Sequence, residues 1–174
     1  MMNKRKQRWA LVLSGGGAKG FAHIGVLKAL QSMGVGEPDL IAGTSMGAVV
    51  GCLYACGKSP EELEQYALHE FDLADHLESP FFRINGPVGR VFQTGQMLSY
   101  LAIRPGLDSG RKVLELLQRL TENKQFSETR IPFRCNAVDL LTGRERIFSE
   151  GFLAQAVRAS LSFPAFFEPV GQDG

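Results

Sequence analysis

The sequence predicts an α/β domain built on a mainly parallel sheet with right-handed crossovers, and three observations predict it. An apolar strand pattern runs through a glycine-rich loop into a helix pattern in LVLSGGGAKGFAHIGVLKAL, residues 11–30. A second short apolar run, Leu40–Gly43, passes into a small-residue helix pattern, Met46–Ala55. Ser59-Pro60-Glu61-Glu62 then reads as a capping box with proline at the first helical position, so a third helix begins there. Strand, helix, strand, helix at this spacing is the pattern of parallel strands with helices packed on them.

Taken in order, residues 9–14 read as a buried strand. Phe21, Ile24, Leu27 and Leu30, with Ala22, Val26 and Met33, give the helical spacing that follows, closed by Gly34. The small-residue helix ends at Gly57, and the capping-box helix runs to about Phe71. Residues 72–108 mix aromatics with glycine and proline and read as an irregular segment with one short helix over 96–102, either covering a site or crossing the surface. GRKVLELLQRL is an amphipathic helix. IPFRCNAVDLLTGRERIFSEG is two strand patterns joined through Thr142-Gly143 as a hairpin. A helix over 152–159 leads into ASLSFPAFFEPVGQDG, and no repeat, low-complexity run or linker interrupts the chain.

Composition bounds the function. The chain has 174 residues, 44% apolar and 21% charged, enough for one core, and residues 9–174 read as one domain. A net charge of +1 argues against a nucleic-acid partner. The basic cluster is local: Lys4, Arg5, Lys6 and Arg8 make residues 1–8 a solvated basic tail, which also suits transient contact with an anionic membrane surface. The apolar run after it is too short for a signal peptide, and no stretch approaches a membrane span, so the expected location is cytoplasmic or peripheral to a membrane. There are three cysteines; Cys52 and Cys56 lie four apart on one helix face and read as packing rather than a disulfide or a metal site. No metal and no cofactor is expected.

Chemistry concentrates at two glycine loops. Gly43-Thr44-Ser45-Met46-Gly47 places GxSxG between a strand and a helix, where a sharp turn lifts a serine hydroxyl clear of the sheet. Gly43 and Gly47 leave room for that elbow, and the helix N-terminus favours negative charge there. The first loop spells GxGxxG with Gly15, Gly17 and Gly20, the fingerprint of a dinucleotide fold. That fold needs an acidic residue at the carboxyl end of the second strand, whereas Asp39 starts the strand and Thr44-Ser45 ends it. Nor does Lys19-Gly20 supply the GK[ST] of a phosphate loop. The economical reading is an oxyanion hole from Gly15, Gly16 and Gly17 beside a Ser45 nucleophile, each such donor being worth about 2.7–4 kcal/mol in a protease. His23 reads as a packing or capping residue, and His69 and His76 fall near the end of a surface helix. If no histidine serves, a positioned carboxylate must take the proton.

Gly15-Gly16-Gly17-Ala18-Lys19-Gly20, Gly43-Thr44-Ser45-Met46-Gly47 and RASLSFPAFFEPV together resemble, in order and spacing, the signatures of patatin-like phospholipases, across residues 11–170. The resemblance implies a three-layer α/β/α sandwich. It also implies a serine-aspartate dyad acting on a lipid ester substrate, phospholipid or lysophospholipid, and a Lys19 that organises the glycine loop, with Gly20, or meets an anionic substrate. The family's dyad aspartate lies in an Asp-Gly pair about nine residues after the Pro-Val segment, whereas Asp173-Gly174 follows Val170 at once. GQDG suits a hairpin turn, so Asp173 is assigned to the turn and the dyad base is expected to be missing from these residues. The expected chain is then a fold able to place Ser45 with little turnover, or an inactive interaction module of the same fold.

Overall fold

The computed structural model describes residues 8–69 and 106–171. Strand β1 is Ala10–Leu13, followed by a 3₁₀ turn, Gly17–Phe21, and helix α1, Ala22–Ser32. Strand β2, Leu40–Gly43, enters α2, Met46–Ala55, and then α3, Pro60–His69. After β3, Gly106–Asp108, come α4, Arg111–Leu120, a 3₁₀ turn, Phe126–Glu128, and β4, Phe133–Val138. The described chain closes with β5, Glu145–Phe148, α5, Leu153–Leu161, and β6, Ala165–Phe167.

The main sheet has the order β1-β2-β4-β5, parallel except for β5, which pairs antiparallel with β4. The register places Leu13 beside Gly43 and Gly43 beside Cys135. One face therefore carries Leu11, Leu13, Ile41, Phe133 and Cys135. Helices α2 and α5 pack on it, and their buried residues join these in the core. Helix α2 is buried on nearly every side, as its small, apolar sequence requires. Gly51 lets it approach closely: a methyl there would meet Ile41 Cγ2 at 3.0 Å and Leu13 Cδ1 at 3.3 Å. Helices α1 and α3 pack together, linked by Lys28 Nζ to Glu64 Oε2 at 2.8 Å. The α/β class with a mainly parallel sheet and flanking helices is as expected. The opposite face of the sheet keeps Val12, Val138 and Ile147 exposed.

Three expectations change. The strand over 9–14 shortens to β1 and is not buried throughout: Ala10 and Val12 are exposed, because they lie on the face of the sheet opposite the one that α2 and α5 cover. The segment read as irregular through Asp108 ends in a strand, β3, which pairs in parallel with β6 some 59 residues later. Each strand is three residues long and has no alternation to betray it. The β4–β5 hairpin turns through residues 139–144, longer than a two-residue turn, with Gly143 at φ +68°. The end of the third helix near Phe71, the short helix over 96–102, and Lys4, Arg5, Lys6 and His76 lie outside the described residues.

The capping box forms as its sequence dictates. The Ser59 N–H donates to Glu62 Oε2 at 2.8 Å, and the Glu62 N–H donates to Ser59 Oγ at 3.2 Å. The Ser59 N–H, then its hydroxyl, hold the Glu62 carboxyl below its ordinary range. This contribution is present above the usual glutamate pKa and is lost as pH falls through the folded value. Ser59→Ala is expected to cost about 1 kcal/mol, read as a shift of the urea midpoint at neutral pH with an unchanged slope.

Candidate active site

The parallel register brings both glycine loops to the carboxyl end of the sheet. The Thr44 N–H donates to the Leu13 carbonyl at 3.0 Å, so the chain leaving β2 stays beside the chain leaving β1. The next residue, Ser45, turns sharply, with φ 53° and ψ −123°. A non-glycine residue in this region costs on the order of 1–3 kcal/mol and persists only where its surroundings hold it. Four hydrogen bonds do so here. The Ser45 N–H donates to Ser160 Oγ at 2.8 Å, the Gly47 N–H to the Thr44 carbonyl at 2.9 Å, and the Ala48 and Val49 N–H groups to the Ser45 carbonyl at 2.9 and 3.1 Å.

Sterics require the two flanking glycines. A methyl on Gly43 would sit 2.5 Å from the Gly47 carbonyl oxygen and 2.6 Å from Ala48 Cα. A methyl on Gly47 would fall on the Leu13 carbonyl and lie 2.5 Å from that of Ser14. Gly20 is fixed in the same way, since a methyl there would meet Met46 Cγ at 2.5 Å. Gly15 lies against the serine itself, its added methyl 3.2 Å from Ser45 Cβ.

The glycine loop is rich in unused donors. The Lys19 N–H closes the turn onto the Gly16 carbonyl at 3.2 Å, and Gly17 takes φ +55°. Among the described residues, the N–H groups of Gly15, Gly16 and Gly17 donate to no protein acceptor, and all three residues are exposed. The Met46 N–H, at the first position of α2, is likewise without a protein acceptor among the described residues. The Lys19 side chain is exposed and forms no ion pair among the described residues. Its backbone, by contrast, organises the loop. The His23 Nε2–H donates to the Ser14 carbonyl at 2.8 Å, tying α1 to the end of β1. Asp173, the aspartate of the terminal Asp-Gly pair, lies outside the described residues.

Distant side chains that no local motif announces hold the elbow from behind. The Thr44 hydroxyl donates to Asn136 Oδ1 at 2.7 Å, and Asn136 Nδ2 donates to Glu145 Oε1 at 2.8 Å, linking the elbow to the hairpin. Two residues before Ser160, Arg158 is a buried hub. Its Nε donates to the Gly110 carbonyl at 3.1 Å, and its Nη2 to the carbonyls of Ser109 and Glu168 at 3.0 and 3.2 Å. Nη1 meets Ser162 Oγ, and the guanidinium stacks 4.8 Å from the Phe167 ring centroid. Burial lowers the pKa of Arg158, opposed by the charges of Asp108 and Glu168. Through these bonds β3 and β6 are anchored to α5, the helix that holds Ser160. Sequence reading had Arg158 and Ser160 only within the signature RASLSFPAFFEPV, with no role for either, and missed Asn136, because each acts on partners dozens of residues away.

The cysteines pack, as their spacing implies. Burial alone pushes the Cys135 thiol up to about 12, and the hydrogen bond that the Cys52 thiol donates to Cys56, with burial, raises Cys52 well above its usual value. Neither is a nucleophile at neutral pH.

A mainly parallel α/β fold with a serine on a strained strand-to-helix turn is the architecture of the serine hydrolases. The chain belongs to the patatin-like phospholipase family, whose model matches residues 11–174. It is 31% identical over 161 residues to patatin-like phospholipase domain-containing protein 6 of Mus musculus, covering 92% of this chain and 11% of the relative. It is 28% identical over 164 residues to lysophospholipase nte1 of Emericella nidulans, covering 94% of this chain and 10% of the relative. The chain thus spans about a tenth of either curated relative. Its fold is similar to that of ExoU of Pseudomonas aeruginosa, solved in complex with SpcU, with a TM-score of 0.59 and 23% identity over 92% of this chain and 39% of that one.

The packing at the elbow predicts opposite outcomes for two helix glycines. Gly47→Ala is expected to cost about 3 kcal/mol or more, since its methyl meets backbone that cannot yield. Gly25→Ala, in open space on α1, is expected to stabilise by roughly 0.5–1 kcal/mol. Thermal unfolding of both variants checks the contrast.

Proposed function

We propose that the chain is a serine acyl hydrolase in which Ser45 attacks the carbonyl carbon of a phospholipid or lysophospholipid ester. The observation that carries this reading is a loop whose Gly15, Gly16 and Gly17 N–H groups are unpaired among the described residues and whose Gly15 packs against Ser45, a serine held at φ 53°. As the Ser45 Oγ–carbon bond forms, the carbonyl oxygen becomes an oxyanion. The N–H groups of Gly16 and Gly17 stabilise it without reorganisation, because they hydrogen-bond to nothing else in the described protein. Turnover further requires a carboxylate to take the hydroxyl proton and return it to the departing alcohol, after which water releases the acyl group from Ser45; that base is assigned to none of the described residues. Lysophospholipids are favoured as a substrate class by the likeness to the fungal lysophospholipase.

The Arg158–Ser160 arrangement supports this reading from behind, since it fixes the Ser45 N–H and thereby the direction of the side chain. Lys19 stands at the loop as a cation for an anionic substrate group. The sequence reading of GQDG as a hairpin turn does not make Asp173 the base.

A fluorophosphonate probe tests the nucleophile. The purified chain is expected to be labelled on Ser45, with labelling abolished in Ser45→Ala. Unchanged labelling of Ser45→Ala would show that the reactive group is elsewhere. Asp173→Ala is expected to keep the labelling rate within about twofold, because a turn aspartate does not act on the serine; a loss of tenfold or more would make Asp173 the base.

A further inference from the structure

Apolar side chains are exposed at the same end of the sheet as Ser45. Strand β4 runs parallel to β2, and Cys135 lies level with Gly43, so β4 continues three residues past the end of β2, about 10 Å. The hairpin loop over 139–144 extends farther in that direction. At its tip Leu141 is 99% exposed and Leu140 53%. Phe163, three residues beyond the Ser160 that holds the elbow, is 68% exposed. The loop is built to present its leucines rather than bury them: Asp139 Oδ1 accepts from the Leu141 and Thr142 N–H groups at 2.8 and 3.2 Å, and the Gly143 N–H donates to the Asp139 carbonyl at 2.7 Å.

Charge around the tip is arranged to match. Both acids of the hairpin are engaged, Asp139 with the loop backbone and Glu145 with Asn136. Arg144 and Arg146 are exposed behind the leucines, Arg146 with its guanidinium 5.6 Å from the Phe148 ring centroid. An apolar tip with a guanidinium collar behind it fits a lipid surface, with leucines at the acyl boundary and arginines at the phosphates. The Thr44–Asn136–Glu145 hydrogen bonds keep this hairpin in fixed register with the elbow.

We propose that the β4–β5 hairpin is a membrane-docking element: Leu140 and Leu141 enter the interface of an anionic bilayer, Arg144 and Arg146 meet its phosphates, and Ser45 is thereby turned towards the lipid. The choice of a lipid surface over a protein partner rests on the lipid-ester reading above. Its test requires no turnover.

The experiment is flotation of the Ser45→Ala chain with vesicles of equal parts phosphatidylcholine and phosphatidylglycerol. The chain is expected to float with the vesicles, and adding Leu140→Asp and Leu141→Asp is expected to lower the bound fraction at least about tenfold. A parent that does not float, or a double variant that floats as well as its parent, overturns the proposal. Leu141→Trp gives a second readout at a site whose side chain touches little: vesicles are expected to shift its emission to the blue beyond any change from Trp9, and an unmoved emission overturns the proposal. Docking that persists in a chain whose Ser45 takes no fluorophosphonate would leave the hairpin standing and remove the hydrolase reading.

Discussion

The end of the sheet that carries Ser45 depends on one close approach, that of the first turn of α2 to the last carbonyls of β1. Gly47 has no side chain because the Leu13 and Ser14 carbonyls occupy the place where one would be. Gly43 repeats the constraint from the other side, against the backbone of Gly47 and Ala48. With strand end and helix start pressed together, the two residues between them have no relaxed path, and Ser45 is carried into positive φ. The same approach sets Gly15 against Ser45 Cβ, so the loop of free donors and the hydroxyl are brought together by one packing event.

Strain of this kind needs restraint, and the restraint comes from far along the chain. Ser160 takes the Ser45 N–H, and Ser160 is fixed by α5, whose Arg158 gathers the carbonyls of Ser109, Gly110 and Glu168. A guanidinium suits this task because its fork of donors can satisfy several carbonyls from a single buried position. The positive charge is offset by Asp108 and Glu168 and by the Phe167 ring. The short strands β3 and β6 therefore gain from Arg158 an anchorage that three-residue pairing alone does not supply.

What was legible in the sequence was what is local. The elbow could be read because glycines two before and two after a serine, between a strand pattern and a helix pattern, answer a steric demand within five residues. The Ser59 to Glu62 cap and the β4–β5 hairpin were legible for the same reason. Pairing of β3 with β6 was not, since neither strand has a period and their partners lie about 59 residues apart. The support from Ser160 and Asn136 was equally hidden, because a hydroxyl and an amide carry no sign of the distant N–H or hydroxyl they accept from. The expectation of a buried first strand failed because which face of a sheet the helices cover is a property of the whole sheet: Val12 has the composition of a core residue and lies exposed, while Leu13 beside it is buried.

The most direct measurement of whether the glycine loop receives an oxyanion is a crystal structure of the chain phosphonylated by the fluorophosphonate probe. The expected result is phosphorus bonded to Ser45 Oγ, with its free oxygen about 2.7–3.1 Å from the backbone nitrogens of Gly16 and Gly17. A phosphonyl oxygen turned away from that loop, or an adduct on any other residue, would contradict the assignment of the loop to catalysis.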